Sequence, residues 1–295
     1  MEAMQKIKCL TIEDSNFPDR LRKLSGMPKK LYYIGNLPDP KKPAAAVVGA
    51  RMCSPYGRCQ AFKYARTMAS YGVQIISGMA RGIDAEGHKG ALDTDTPTFA
   101  VLGSGVDVCY PNSNRWLYQR ILEKGGGIIS ELPPGSPPVN WAFPARNRII
   151  SGLAEVVVIA EAKKKSGSLI TAEHALEQGK DIYVFPGRTT DALSYGCNAL
   201  IQQGAGIILS VEEFLKQLPY NATQSLQMGK NKKQCLAKEE SLVYSCLSME
   251  PKNIEKIAEE TGLGISATAG ILLGLLAKGP VSYTHLRAHE TLMNL

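Results

Sequence analysis

FPARNRIISGLAEVVVIAEAKKKSGSLITAEHALEQG, residues 143–179, passes from a basic turn through a helix, an apolar strand and a Ser/Gly loop into a second helix. A strand that is apolar at almost every position, here EVVVIA, has no solvent face and belongs in a parallel sheet covered on both sides. Two arginines, Arg146 and Arg148, and the loop Ser166-Gly167-Ser168 then fall at the ends of packed elements. That placement suits an anionic phosphate held without a metal. No catalytic constellation stands beside it, so binding is the first expectation and chemistry the second.

Working outward, apolar runs of strand length recur on both sides: AAAVVG, VQIISG, TFAVLG, GGIISE, DIYVFPG and GIILS. Between them lie segments with apolar residues at helical spacing, among them YGRCQAFKYARTMASYG, ARGIDAEGHKGALD, NRWLYQRILEKG and LITAEHALEQG. Buried strands alternating with helices predict an α/β fold, a doubly wound, mainly parallel Rossmann-like sheet, over residues 44–219. Strand order is not readable from this pattern. Residues 1–43 read as an N-terminal lead-in ending in a Pro-bounded linker, and the polar, Gln/Asn/Lys-rich residues 220–238 as a second linker. Residues 239–281 carry three short helical patterns with the spacing of a partial winged-helix-like domain. Residues 282–295, with two of the four histidines and no hairpin pattern, read as a non-native tail.

The 295 residues, 44% hydrophobic and 21% charged, have an ordinary globular composition. A formal net charge of +7 favours a polyanionic partner but does not localise it. Cys9, Cys53, Cys59, Cys109, Cys197, Cys235 and Cys246 are odd in number and lack any CxxC pair, which points to reduced thiols rather than a disulfide frame or zinc site. The N-terminus has no signal-peptide core, and the longest weakly polar run, Leu263 to Ala277, is too short to span a bilayer. A cytoplasmic protein with no membrane partner is expected.

Ligands of open parallel sheets bind outside the carboxyl ends of the strands, and the polar clusters of this chain fall there. The candidate phosphate contacts are Gly49, Arg51, Ser54 and Gly57, then Ser77, Gly78, Arg81, Gly82 and Asp84, then Gly103 and Gly105. Phe143, Arg146, Asn147 and Arg148 follow, then Lys165, Ser166, Gly167, Ser168 and Thr171, and Arg188 lies on the same edge. Each glycine alone is most simply a tight turn; as a set, with five arginines on one edge, they describe an anion site. Asp84 reads as orienting an arginine or, at least equally, as a helix cap, His88 and His174 as solvated or capping residues, and Trp141 and Phe143 as core or as base-stacking rings. There is no GxxxxGK[ST], GxGxxG or metal-ligand cluster, so neither a nucleoside triphosphate, NAD nor a metal cofactor is expected.

Taken in order, VVGARMCSPYG, SGMARGIDAEGHKGAL, VLGSGVDVCYPNSN, GIISELPPG, FPARNRIISGLAEVVVIAEA, SGSLITAEHALEQG, VFPG and GCNALIQQGA closely resemble the DNA-processing protein A (DprA, or Smf) family over roughly residues 17–218. The resemblance implies an extended Rossmann fold that forms a homodimer and binds single-stranded DNA. It further implies loading of RecA recombinase onto that DNA during natural transformation, with displacement of single-strand-binding protein, and no enzymatic activity. Family members often carry a helical domain ahead of the sheet, which is not matched here, and the C-terminal module resembles theirs cut short near Val281. The alternative is a nucleotide phosphoribohydrolase of the lysine-decarboxylase-like (LOG) type, marked by PGGxGTxxE. Aligned on Thr171, SGSLIT falls on PGGxGT, and His174 takes the glutamate's place with Glu173 adjacent.

Overall fold

A computed structural model describes residues 6–24, 26–217, 242–243, 246–247, 252–278, 281–286 and 289–294. It divides into two units, residues 1–229 and 230–295. In the first unit the strands are β1 (Lys8–Thr11), β2 (Lys30–Gly35), β3 (Ala44–Val48), β4 (Gln74–Ser77), β5 (Thr98–Val101), β6 (Gly127–Ser130), β7 (Val156–Ile159), β8 (Asp181–Val184) and β9 (Gly206–Ile207). They form one sheet in the order β1-β2-β6-β5-β4-β3-β7-β8-β9. All pairings from β6 to β9 are parallel; β1–β2 and β2–β6 are antiparallel.

The chain starts its parallel part in the middle of the sheet. β3 leads outward through β4, β5 and β6, then the chain returns to β7 on the other flank of β3 and continues to β8 and β9. The order therefore reverses between β3 and β7, the position where sheets of this kind open a crevice at their carboxyl edge.

The period-two alternation of the strands sorts their side chains onto two faces. Ala44, Ala46, Val48, Val157 and Ile159 face one core, packed by α1 (Asp19–Arg22), α5 (Ala142–Leu153), α6 (Gly167–Glu177) and α7 (Tyr195–Gln202) through Leu21, Ile149, Ile150, Leu153, Ala172, Ala175, Cys197 and Leu200. Ala45, Val47, Val156 and Val158 face the other, packed by Ala61, Ala65 and Met68 of α2 (Pro55–Ser70), Ile83 of α3 (Ile83–Leu92), and Phe214 and Leu215 of α8 (Val211–Gln217). Leu117 and Ile121 of α4 (Arg115–Glu123) close the same face over β5 and β6.

Of the expected lead-in, β1, α1 and β2 belong to the sheet domain itself. β2 extends the sheet from β6, and Phe17, Leu21 and Leu31 are buried in the first core. Two strands of four and six residues, separated by a one-turn helix, are too short to generate a periodic signal.

The linker expected at 220–238 lies outside the described residues, as does most of the first helix expected beyond it. In the second unit, α9 (Ile254–Thr261) is capped by Asn253, whose Oδ1 accepts from the Lys256 N–H at 3.0 Å, and it ends on Gly262 at φ 70°. α10 (Ile265–Lys278) follows, and Val243, Leu247, Ile257, Leu272 and Leu275 form the core of this unit. β10 (Lys252–Asn253), β11 (Val281–Leu286) and β12 (His289–Asn294) make a three-stranded antiparallel sheet in the order β10-β12-β11. Residues 281–286 and 289–294 thus pair as antiparallel strands where the sequence displays no hairpin pattern. Their pairing is a backbone register, Val281 opposite Asn294 through Leu286 opposite His289, which hydrophobic alternation does not report.

Candidate functional site

A cleft of about 480 Å³ opens between the carboxyl ends of β3 and β7, at the reversal of strand order. Four segments build it: Gly49 to Met52 after β3, Ala80 and Asp84 at the entry to α3, Asn140 to Asn147 at the start of α5, and Lys163 to Thr171 running into α6. The site expected from Phe143–Gly179 therefore forms one wall and the loop after β3 the other.

Several local devices fix the loop that carries Arg51. Ser54 caps α2, its Oγ accepting from the Gly57 N–H at 3.1 Å, with Pro55 at the first helical position. Glu161, buried beyond the end of β7, accepts from the Ser54 N–H at 2.8 Å and from the Ser54 hydroxyl. A Cβ on Gly57 would lie 2.3 Å from the Glu161 carboxyl carbon, so only glycine admits that carboxylate. Gly82, at φ 77°, brings the start of α3 to where a Cβ would stand 2.3 Å from the Ala50 carbonyl oxygen. Arg51 itself is exposed, its guanidinium 5.3 Å from the centre of the Phe143 ring.

The turn after β4 is the second support. Met79 is buried with φ 56°, a left-handed conformation unusual for a side chain of its size. Asp84 holds that turn by accepting from the Gly78 N–H at 3.2 Å and the Ala80 N–H at 3.4 Å, and Asn114 donates to the Met79 carbonyl at 2.9 Å. Burial pushes the Asp84 carboxyl up from its ordinary range, opposed by Arg146 and the two N–H donors.

Arg146 lines the floor of the cleft but is only 5% exposed. Its Nη1 donates to the carbonyls of Gly78, at 2.7 Å, and Val101, so it ties the ends of β4 and β5 together. Burial lowers its pKa to about 10, which still leaves it charged at neutral pH. Arg148 points elsewhere. It makes a two-bond ion pair with Glu131, at 3.1 and 2.6 Å, and does not line the cleft.

The remaining candidates divide in the same way. Gly49, Arg51, Asp84, Phe143 and Arg146 meet Asn147, Lys165, Ser166, Gly167, Ser168 and Thr171 in the cleft lining. Ser54, Gly57, Gly78 and Gly82 support it from behind. Ser77 is fully buried, its hydroxyl donating to the Val47 carbonyl at 2.6 Å. Arg81 reaches Ser113 at 3.3 Å outside the lining. Gly103 packs under the Phe143 ring, and Gly105 donates to the Ser136 carbonyl at 2.9 Å. Met52, Asn140 and Glu161 were not singled out in the sequence. Glu161 had a readable signal, a carboxylate ending an otherwise apolar strand, whereas Met52 and Asn140 had none.

The wall made by α6 presents the N-terminal amides of an eleven-residue helix, with Ser166 and Ser168 hydroxyls 2.8 Å apart and exposed Lys165 at the rim. Helix N-terminus, hydroxyls and three exposed cations, Arg51, Lys163 and Lys165, together make the cleft suited to an anion. Glu173 is exposed and His174 lies 3.3 Å from Glu177; neither lines the cleft. Among the described residues there is no cluster of His, Cys, Asp and Glu able to hold a metal ion, and no helix long and apolar enough to cross a membrane.

A family model described as DNA recombination-mediator protein A matches residues 8–219. The DNA processing protein DprA of Streptococcus pneumoniae is 42% identical over 216 residues, 73% of this chain and 76% of that protein. Protein Smf of Escherichia coli is 41% identical over 208 residues, 70% of this chain and 56% of that protein, so the chain spans little more than half of the latter. The crystal structure of DprA from S. pneumoniae superposes with a TM-score of 0.69 at 41% identity, covering 73% of this chain and 76% of that one. The Helicobacter pylori DprA structure, described for its single-stranded DNA binding mode, superposes with a TM-score of 0.65 at 31% identity, covering 74% and 98%. The matched region contains the whole of the cleft and its supports, and the chain belongs to the DNA recombination-mediator protein A family.

Proposed function

We propose that this chain binds single-stranded DNA through its phosphates, without strong sequence preference, and presents it to RecA recombinase during DNA uptake and recombination. The observation that carries the reading is the convergence of exposed Arg51 and Lys165 with the N-terminal amides of α6 at the switch-point cleft. Phe143, half-buried in the same cleft, carries the Arg51 guanidinium over its ring. The family description and the H. pylori relative support the substrate class; the recombinase, single-strand-binding protein and a homodimeric, cytoplasmic state complete the proposal.

The test is a gel shift of single- against double-stranded oligonucleotides over a salt series. Single strands bind more tightly, with a log–log slope of about −0.7 per phosphate neutralised. The Arg51→Ala/Lys165→Ala double variant flattens that slope by about 1.4 and weakens all sequences alike. An unchanged slope removes the cleft from the DNA path. RecA loading is read separately, as filament formation on DNA coated with single-strand-binding protein.

The hydrolase reading has no support in the site, because Glu173 and His174 lie outside the cleft lining. Release of free base from a nucleoside monophosphate, abolished by Glu173→Gln, would reinstate it.

A further inference from the structure

We propose that two exposed tyrosines, Tyr110 and Tyr195, flank the cleft as base-stacking platforms and carry the DNA strand past the phosphate site on both sides. The inference rests on the single-strand reading above and adds where bases outside the cleft are held. Both rings stand at the carboxyl edge of the sheet, and they are 43% and 49% exposed.

Tyr110 lies in the loop after β5. Its ring centre is 5.4 Å from that of Phe143 with a 33° tilt, and the Arg51 guanidinium is 5.3 Å from the Phe143 centre. Cation, inner ring and outer ring therefore form a row leading from the cleft outward.

The opposite flank has a cation directly beside its ring. Tyr195 begins α7, and the Lys164 ammonium sits 5.5 Å from its ring centre, one residue before Lys165 at the cleft rim. The next residue, Gly196, donates its N–H to the Ala162 carbonyl at 2.7 Å, which ties the start of α7 to the end of β7 and fixes the ring beside the lysine loop. A Cβ on Gly196 would come 2.7 Å from that same carbonyl oxygen, so the close approach depends on glycine.

Each flank thus offers an aromatic face for a base, with Lys164 beside the Tyr195 ring and Arg51 one ring in from Tyr110, the combination of ring and cation that sequence-tolerant single-strand binders use. A duplex, whose bases stack on one another, has no free base faces to give. β5 and β8 are four strand spacings apart, about 19 Å, which a strand of several nucleotides crosses.

The experiment uses the full chain and its Tyr110→Ala, Tyr195→Ala and double-alanine variants, with the Tyr→Phe variants as controls for ring stacking. Affinity is measured for oligothymidylates of about 4 and about 16 nucleotides, which bracket common single-strand footprints. Each alanine weakens the long oligonucleotide about fivefold to hundredfold, leaves the short one unchanged, and keeps the salt slope, since no charge is removed. The phenylalanine variants bind as the parent does. Unchanged long-strand affinity in the double variant, while Arg51→Ala/Lys165→Ala still loses it, overturns the flanking platforms and leaves the phosphate cleft standing. Equal losses on short and long strands, or a phenylalanine variant as weak as alanine, overturn stacking outside the cleft as well. If neither set of variants affects binding, the single-strand reading of this edge falls with it.

Discussion

Acidification from pH 6.5 to 4.5 is expected to destabilise the first unit through one residue, His88. It is fully buried on α3, and its Nδ1 lies 2.7 Å from the Thr98 Oγ1. The Thr98 hydroxyl already donates to the Ile75 carbonyl at 2.7 Å, so it accepts from the imidazole, and the ring proton sits on Nδ1. Nε2 is then the lone-pair nitrogen, and among the described residues it has no hydrogen-bond partner. Protonating it buries a cation with nothing to receive the new N–H, near the Arg146 charge. Burial, then Arg146, lowers the His88 pKa from 6.5 to about 3. Because the folded pKa is depressed, the unfolded chain binds the extra proton first. The stabilisation is present above pH 6.5 and is lost as pH falls toward about 3. The unfolded imidazole is half protonated at pH 6.5, so the slope builds up below that value and the two units together remove roughly 2 kcal/mol. The assay is denaturant unfolding of the parent and of His88→Asn, whose amide replaces the Nδ1 donor, at several pH values. Titrating carboxylates act on both proteins and cancel in the difference. The parent's curve falls toward the variant's by roughly 2 kcal/mol over the window; parallel curves refute the argument.

Gly57→Ala pushes a methyl against the Glu161 carboxylate and is expected to cost roughly 1–3 kcal/mol in unfolding free energy, with DNA affinity falling as the Arg51 loop shifts. Arg148→Gln breaks an ion pair whose side chains are about one-fifth exposed, so thermal unfolding shifts by the equivalent of about 1 kcal/mol or less while the DNA salt slope stays put; a slope flattened by about 0.7 would instead place Arg148 on a phosphate. Arg146→Met removes the cation that ties β4 to β5 and is expected to lower stability by roughly 3–5 kcal/mol, part of which Asp84→Asn recovers in the double variant; simple additivity in the cycle would show that the two groups are uncoupled.

The difference between Arg51, Arg146 and Arg148 shows where sequence reading ran out. All three stand on the carboxyl edge of the sheet, and strand ends are legible because wholly apolar runs bounded by glycine and polar residues admit few other folds. That edge is where the sequence places the candidate site, and the reversal between β3 and β7 narrows it to one crevice. What each guanidinium does there depends on groups far away in sequence. Glu131, 17 positions from Arg148, and the Gly78 and Val101 carbonyls, 68 and 45 positions from Arg146, draw those two side chains into the protein. Arg51 has a ring beneath it in place of a carboxylate or carbonyl, and so keeps its donors for a ligand. Composition counts the cations on an edge, but only the long-range pairings decide which of them remain to meet a phosphate. A salt slope smaller than five arginines suggest is therefore the expected signature of this fold, because part of its basic edge is spent on holding the edge together.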